Sequence, residues 1–437
     1  MSRLWPSSGL WRHSDFLKLW SAETVSQFGT QVSNLALPLV AVLILDASAF
    51  QVAALGTVEF LPFLLFTLPA GVWVDRLRRR PILIAGDLGR AAVLATVPIA
   101  YAADSLTLAQ LYVVGFIAGT CTVCFDVAYQ SYLPSLVERN HIIEGNSKLE
   151  ISRSAAQISG PGLGGLLVEI FTAPYAVLVD AVSYVGSAVF LLRIRKEEPA
   201  PLRTTPEGAK TSLWTELKEG LRFVLGNPYL RAQAGCTATS NFFFTFGFSI
   251  IVVYFVRVLG LSPGVIGLVF SISSIGSMVA ALTARRISDR FGIGPTTIAV
   301  TLLQGPAFLL MALAPQDLPY PSLIAGGLVL GFVVVAYNIV QVSYRQAICP
   351  PQLQGRMNSV MRFLVWGTIP IGGLAGGAVA GVVGLRETLV IGAIGSSLSF
   401  LWILLSPQRH LREMPEPNAE AAVEPSPEAG AAPAVPS

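Results

Sequence analysis

The sequence predicts an all-α polytopic membrane protein with twelve transmembrane helices in two pseudo-symmetric six-helix bundles. Three observations carry that prediction. The chain is 53 % hydrophobic and 13 % charged, with a mean hydropathy of +0.63, whereas a soluble domain carries about 25 % charged residues. Apolar runs long enough for a bilayer, about 20 residues each, recur at approximately 17–45, 52–74, 82–103, 107–133, 147–170, 174–194, 230–256, 263–287, 293–314, 320–348, 358–383 and 387–406. Of the 29 lysines and arginines, only Arg257 and Arg386 fall on the far side of those spans. Lysine and arginine collect in cytoplasmic loops, so both termini are expected in the cytoplasm.

Composition also excludes function classes. The net charge of +3 says little, because where the charges sit matters more than their sum. No G-x-x-x-x-G-K-[ST] phosphate loop occurs, so transport driven by an ATPase of this chain is not expected. His13, His141 and His410 are far apart and lie in hydrophilic flanks, and neither a metal site nor a cofactor is expected. Cys121-Thr-Val-Cys124 has a redox or metal spacing, but in a membrane helix these are small packing residues. No nucleophile–base constellation points to an enzyme, and nothing points to a nucleic-acid partner. The segment before Phe16 holds Arg3, Arg12 and Asp15, and no cleavable signal is visible.

Taken in order, residues 1–15 form a cytoplasmic N-terminus and 16–195 the first bundle. The first helix carries Glu23, Gln27, Thr30 and Asn34 at i, i+4, i+7 and i+11, which places them on one face. Such a stripe must meet protein or a water-filled cavity. The second helix holds Glu59 and ends at Gly71-Val-Trp-Val-Asp75-Arg76-Leu-Arg78-Arg79-Arg80-Pro81, at the least a basic stop-transfer loop. Asp87 and Arg90 are three apart in the third helix, and an ion pair is expected there. Asp126 lies in the fourth helix with Tyr129 and Gln130, Glu150 and Arg153 in the fifth, and Asp180 in the sixth. Asp126 has two alternatives, a permanent pair with Arg153 or a titrating carboxyl. With Asp126, the candidates for a proton-loading group are Glu59, Glu23 and Asp180.

The fifth helix contains Gly160-Pro161-Gly162-Leu163-Gly164-Gly165, where small residues admit a neighbouring helix and proline frees a carbonyl. Residues 196–228 form a linker. Its Leu213, Leu217, Leu221 and Val224 recur at helical spacing, as in an amphipathic helix on the cytoplasmic face. The second bundle occupies 229–406. Its first helix carries Thr237, Asn241 and Thr245 amid Phe242, Phe243, Phe244, Phe246 and Phe248. With Asn338 and Gln341 further on, these residues and the first-helix stripe outline a cavity for an amphiphilic substrate; interhelical packing is the plainer alternative for any one of them. Residues 407–437, rich in Ala, Pro and Glu, are expected to be a disordered tail.

The halves repeat. An offset of 214 sets Asp75-Arg76 on Asp289-Arg290 and Gln27 on Asn241, and an offset of 209 sets Arg153 and Pro161 on Arg362 and Pro370. Two six-helix repeats about an axis along the membrane normal are a transporter organisation.

The loop pattern G-x-x-x-D-R-x-x-R-R resembles the cytoplasmic signature of the major facilitator superfamily between its second and third helices, with Arg78 where the family usually has glycine. The Gly160–Gly165 run resembles the fifth-helix signature of the superfamily's antiporters. Phe125–Val137, Gly145–Leu149 and that run together look like the bacterial macrolide-efflux and enterobactin-exporter branch. This resemblance implies a secondary active transporter in the bacterial plasma membrane, acting as a monomer. It would export drugs, antibiotics or siderophore-like metabolites by alternating access, in antiport with protons. A lipid flippase or uncoupled facilitator on the same fold is the alternative. Carried over, Gly71, Asp75, Arg76, Arg79 and Arg80 would form a cytoplasmic gate with the start of the eleventh helix near Arg356 and Arg362, mirrored by Asp289 and Arg290. Gly160, Pro161, Gly164 and Gly165 would form the antiporter motif.

Overall fold

A computed structural model describes residues 9–138, 141–196, 198, 221–349 and 354–412, apart from the side chains at 68, 72, 75, 354–356, 358 and 359. The first half contains α1 (Ser14–Leu39, continued by a π-turn over Val40–Ile44), α2 (Ala49–Arg76), α3 (Arg79–Ala102), α4 (Leu108–Leu136), α5 (Ile142–Phe171) and α6 (Ala173–Leu192). The second contains α7 (Pro228–Phe248, resuming as Ile251–Arg257), α8 (Pro263–Phe291), α9 (Ile293–Ala312) and α10 (Tyr320–Ile348). It ends with α11 (Gln354–Trp366 and Thr368–Val383) and α12 (Leu385–Leu398 and Phe400–Leu404). Eleven of these are both long and apolar enough to cross a membrane. The remaining one, α5, has 30 residues and a length of about 45 Å, but glycine, serine and glutamine dilute its apolar content.

Local chemistry sets several boundaries. Ser48 and Gln51 form a reciprocal capping box at the start of α2, which satisfies two otherwise orphaned amides. Asn227 accepts from the amides of Tyr229 and Leu230, with Pro228 opening α7. The two repeated loops turn differently. Gly292 alone links α8 to α9, with φ 92°, a conformation glycine adopts freely. The first loop has Arg78 at the equivalent place and uses two extended residues, Leu77 and Arg78, with Arg78 at φ −68°. The glycine is therefore dispensable there because the turn is one residue longer.

In the first bundle α1 packs on α5 and α6, α3 on α4 and α6, and α2 on α4; in the second, α8 and α9 pack on α10, and α12 on α7 and α9. The bundles meet along α5–α8 and α2–α11. Large apolar side chains such as Ile99, Leu282 and Val382 lie exposed on the outside, where a lipid-facing surface needs them.

Two expectations change at the flanks. The tail boundary at 407 falls too early, because Pro407–His410 form a 3-10 turn, Gln408 is fully buried and the Gly294 amide donates to Leu411 O at 2.9 Å. That turn covers the start of α9, so the chain stays packed as far as the described residues extend, to Arg412. Of the linker's amphipathic face, Leu213 and Leu217 lie outside the described residues. Val224 is fully buried in a cluster with Leu230, Met357 and Met361, so this end of the segment packs on protein.

Candidate functional site: a central cavity between the bundles

Among the described residues, the polar contacts across the seam between the bundles lie on one side. On the side away from the termini, Arg257 Nη2 meets Asp46 Oδ1 at 2.5 Å and donates to Ala47 O at 3.0 Å. Glu169 at the end of α5 accepts from Ser262 Oγ (3.2 Å) and the Gly264 amide (2.9 Å) at the start of α8. Deeper along the same pair, the Gly162 amide donates to Ser271 Oγ and Ser274 Oγ donates to Gln157 O. The glycines permit this approach, since a methyl group on Gly165 would stand 2.4 Å from Pro263 O and one on Gly377 2.7 Å from Ala53 Cβ. Among the described residues, no hydrogen bond or ion pair joins the bundles nearer the termini than Gln157.

The space left between the bundles forms two adjoining chambers. One, of about 470 Å³, lies beneath the seam and is mostly apolar, with Gln31, Asn34, Phe60, Thr245, Phe248, Phe270 and Pro370 in its wall. The other, of about 730 Å³, is polar and reaches toward the terminal side past Asn241, Gln304, Asn338, Gln341, Arg345 and Arg362. Thr245 and Ile369 belong to both walls. Aromatic rings line the passage: Phe244 stacks on Phe248 at 5.0 Å, and Phe60 meets Trp366 edge-on at 6.0 Å.

Six of the eight predicted cavity residues line these chambers: Asn34, Asn241, Thr245, Phe248, Asn338 and Gln341. Gln27 and Thr30 are engaged inside the first bundle. Gln27 Nε2 donates to Glu23 Oε1 at 2.7 Å, and Thr30 Oγ1 lies 2.8 Å from the Tyr184 hydroxyl of α6. The cavity face of α1 instead carries Gln31, Leu35 and Pro38, turned roughly 60° from the predicted stripe at about 100° per residue. The seventh-helix phenylalanines also divide by face. Phe244 and Phe248 reach the cavity, while the backbone and ring of Phe242, Phe243 and Phe246 back onto Gly372, Gly395 and Gly376. Sequence reasoning missed Arg345 as a wall residue, although Asn338, Gln341 and Arg345 follow at i, i+3 and i+7 on one helical face.

The acidic candidates cluster inside the first bundle. Arg90 is 3 % exposed, pairs with Asp87 at 2.5 Å and lies over the rings of Phe125 (4.5 Å) and Tyr184 (4.1 Å). The expected Asp87–Arg90 pair is thus present. Asp126 and Asp180 lie within charge–charge range of Arg90, as does Glu23. Asp126 and Arg153 form no ion pair among the described residues. Among the described residues, Glu23 Oε2 and Glu59 Oε1 are buried without a hydrogen-bond partner, while Ser187 stands beside Asp87 and Ser33 beside Asp180. Glu59 lies apart from the others, its side chain against Gly115 of α4.

Among the described residues, none of the predicted gate side chains bridges the bundles in this conformation. Glu198 accepts from the Arg79 and Arg80 amides and from Arg79 Nη1 at 2.7–3.2 Å, which places an anion on the N-terminus of α3. Arg80 donates to Leu191 O and Leu192 O at the end of α6. Gly71 has open space beside it and Arg76 is exposed. Asp289 faces Arg285 at 3.7 Å, Arg290 lies over Phe291, and Arg362 stacks on Trp366 at 4.4 Å. The side chains of Asp75 and Arg356 lie outside the described residues. Pro161 lines the apolar chamber, Gly160 backs onto Gln31, Gly164 onto Val32 and Gly165 onto Gly267. The antiporter-like run is therefore a three-way contact of α5 with α1 and with the opposite bundle.

Twelve helices in two bundles, closed on one side around a central cavity, define a major facilitator transporter. Residues 7–430 match the family described as transmembrane secretion effector, and the chain belongs to that family. It is 28 % identical over 356 residues to the multidrug efflux pump Tap of Mycolicibacterium fortuitum, covering 79 % of this chain and 83 % of Tap. It is 27 % identical over 390 residues to the MFS-type transporter YfiS of Bacillus subtilis, covering 88 % of both. The inward-facing structure of a bacterial homologue of the iron transporter ferroportin superimposes with a TM-score of 0.71 at 16 % identity, covering 91 % of this chain and 99 % of that one.

Proposed function

We propose that the protein exports amphiphilic small molecules across the bacterial plasma membrane by alternating access, with both termini in the cytoplasm and inward proton flow as the driving force. The observation that carries this reading is the one-sided seam: contacts hold the bundles together away from the termini, and the aromatic and amide-lined cavity opens on the terminal side. A transporter collecting cargo from the cytoplasm and lipid needs that arrangement in its loading state. Export agrees with the efflux function of Tap, and the mixed wall suits cargo with an apolar body and polar groups. Proton coupling is supported by the Arg90 cluster, where the buried Glu23, Asp87 and Asp180 and the partly buried Asp126 gather around Arg90, with Arg153 in charge–charge range of Asp126 alone among the four. Charge balance there calls for protons as well as the arginine.

The test is uptake of an amphiphilic dye or drug into inverted membrane vesicles with an acidic lumen. The proposal expects accumulation above equilibrium that a protonophore collapses. Equal internal and external concentrations with or without the gradient would assign an uncoupled facilitator instead.

A further inference from the structure

We propose that the polar chamber is an anion-recognition subsite, so that the exported amphiphile carries a compact anionic group such as a carboxylate, seated between Arg345 and Arg362 while its apolar body fills the aromatic chamber. This rests on the export reading of the cavity and adds the charge of the cargo to it. Two arginines line the chamber, and no aspartate, glutamate or lysine is among its lining residues. Arg345 is partly buried; its Nε has no hydrogen-bond partner, and no ion pair reaches it among the described residues. Arg362 is held over Trp366, and among the described residues no ion pair reaches it either. For the partly buried Arg345, an uncompensated guanidinium is costly unless something pairs with it, while the exposed Arg362 stands ready at the mouth of the same chamber.

Several of the described carboxylates are engaged elsewhere. Asp289 faces Arg285 and Asp46 faces Arg257, while Glu23, Asp126 and Asp180 lie around Arg90 inside the other bundle. Neutral amides stand beside the arginines: Gln341 Oε1 is buried without a partner, and Asn338 is exposed to the chamber. A planar guanidinium fork matches a carboxylate, and the Trp366 ring beneath Arg362 fixes the orientation of one such fork. The shared wall at Thr245 and Ile369 lets an attached hydrocarbon or ring system continue to Phe248 and Phe60. A cationic amphiphile of the same shape would meet two like charges.

The test uses the full-length protein in nanodiscs with two xanthene dyes of similar size, anionic fluorescein and cationic rhodamine 123, read by fluorescence anisotropy against empty nanodiscs. Fluorescein is expected to bind about tenfold or more tighter than rhodamine 123, and Arg345→Gln or Arg362→Gln to weaken fluorescein by about tenfold or more. Arg345→Lys should retain part of the affinity, and rhodamine 123 binding should not weaken in any variant. If Arg345→Gln does not fold, the Arg345→Lys and Arg362→Gln variants decide. Equal or tighter rhodamine 123 binding, fluorescein affinity unchanged in the glutamine variants, or no fluorescein binding at all would overturn the proposal. Uphill export of cations with no arginine dependence would remove this inference and leave export intact. Anion binding with no uphill transport of any amphiphile would remove export instead.

Discussion

At the residue scale, Gly165 shows how a missing side chain decides a conformation. A methyl group there would stand 2.4 Å from Pro263 O and 3.1 Å from Gly267 Cα; both are backbone atoms that no rotamer change can move. Gly165→Ala must therefore push α5 away from α8. Overpacking of this kind costs about 1–3 kcal/mol, which shifts a two-state population roughly 5- to 150-fold. Alternating access would open this seam in the opposite state, so the cost is expected to fall selectively on the present conformation. A cysteine placed at Asn338 should become less reactive from the cytoplasmic side in the Gly165→Ala background, with expression unchanged. Equal reactivity in both backgrounds would mean that the glycine contact does not set the balance. The Gly160–Gly165 string was legible in the sequence as a close-packing motif. Which helix each glycine meets was not, because that depends on how the two bundles lie together.

At the scale of single helices, periodicity located the polar stripe of α1 and misjudged its direction. Thr30 and Gln31 differ by one position, about 100° of rotation, and only the packing of α6 decides which of them faces the cavity. The same step made the alternatives for Asp126 undecidable from spacing. We propose the titrating role: among the described residues Asp126 and Arg153 form no ion pair, and Asp126 lies within charge–charge range of both Arg90 and Arg153 without being bound to either. A group whose protonated and ionised forms favour different conformations links a gradient to the motion. Asp126→Asn, which mimics the protonated form, is expected to abolish uphill efflux while leaving downhill substrate exchange. Glu59→Gln, on the α2–α4 wall away from both chambers, is expected to do less. The decisive measurement is a pair of transport assays, with and without a proton gradient, beside thermal stability. A well-folded Asp126→Asn protein that still accumulates substrate uphill would move the coupling role to Glu59 or Glu23.

At the scale of the whole molecule, the two bundles share an architecture and differ in charge. The first gathers Glu23, Asp87, Asp180 and the partly buried Asp126 around Arg90, and the second presents Arg345 and Arg362 to the cavity. The spans, the repeat and the charged loops were legible because bilayer thickness and the positive-inside rule act on composition alone. The one-sided seam was not, since a transporter's sequence is compatible with every state it visits. The central claim is that this state opens to the cytoplasm and is closed to the outside, and thiol accessibility tests it most directly. In a background with Cys121, Cys124, Cys236 and Cys349 replaced by alanine, single cysteines at Asn338, Asp104 and Asp317 would be exposed to an impermeant maleimide. The account predicts that Asp104→Cys and Asp317→Cys react in intact cells, whereas Asn338→Cys reacts rapidly only in inverted vesicles. Labelling of Asn338→Cys in intact cells with protection in inverted vesicles would contradict it.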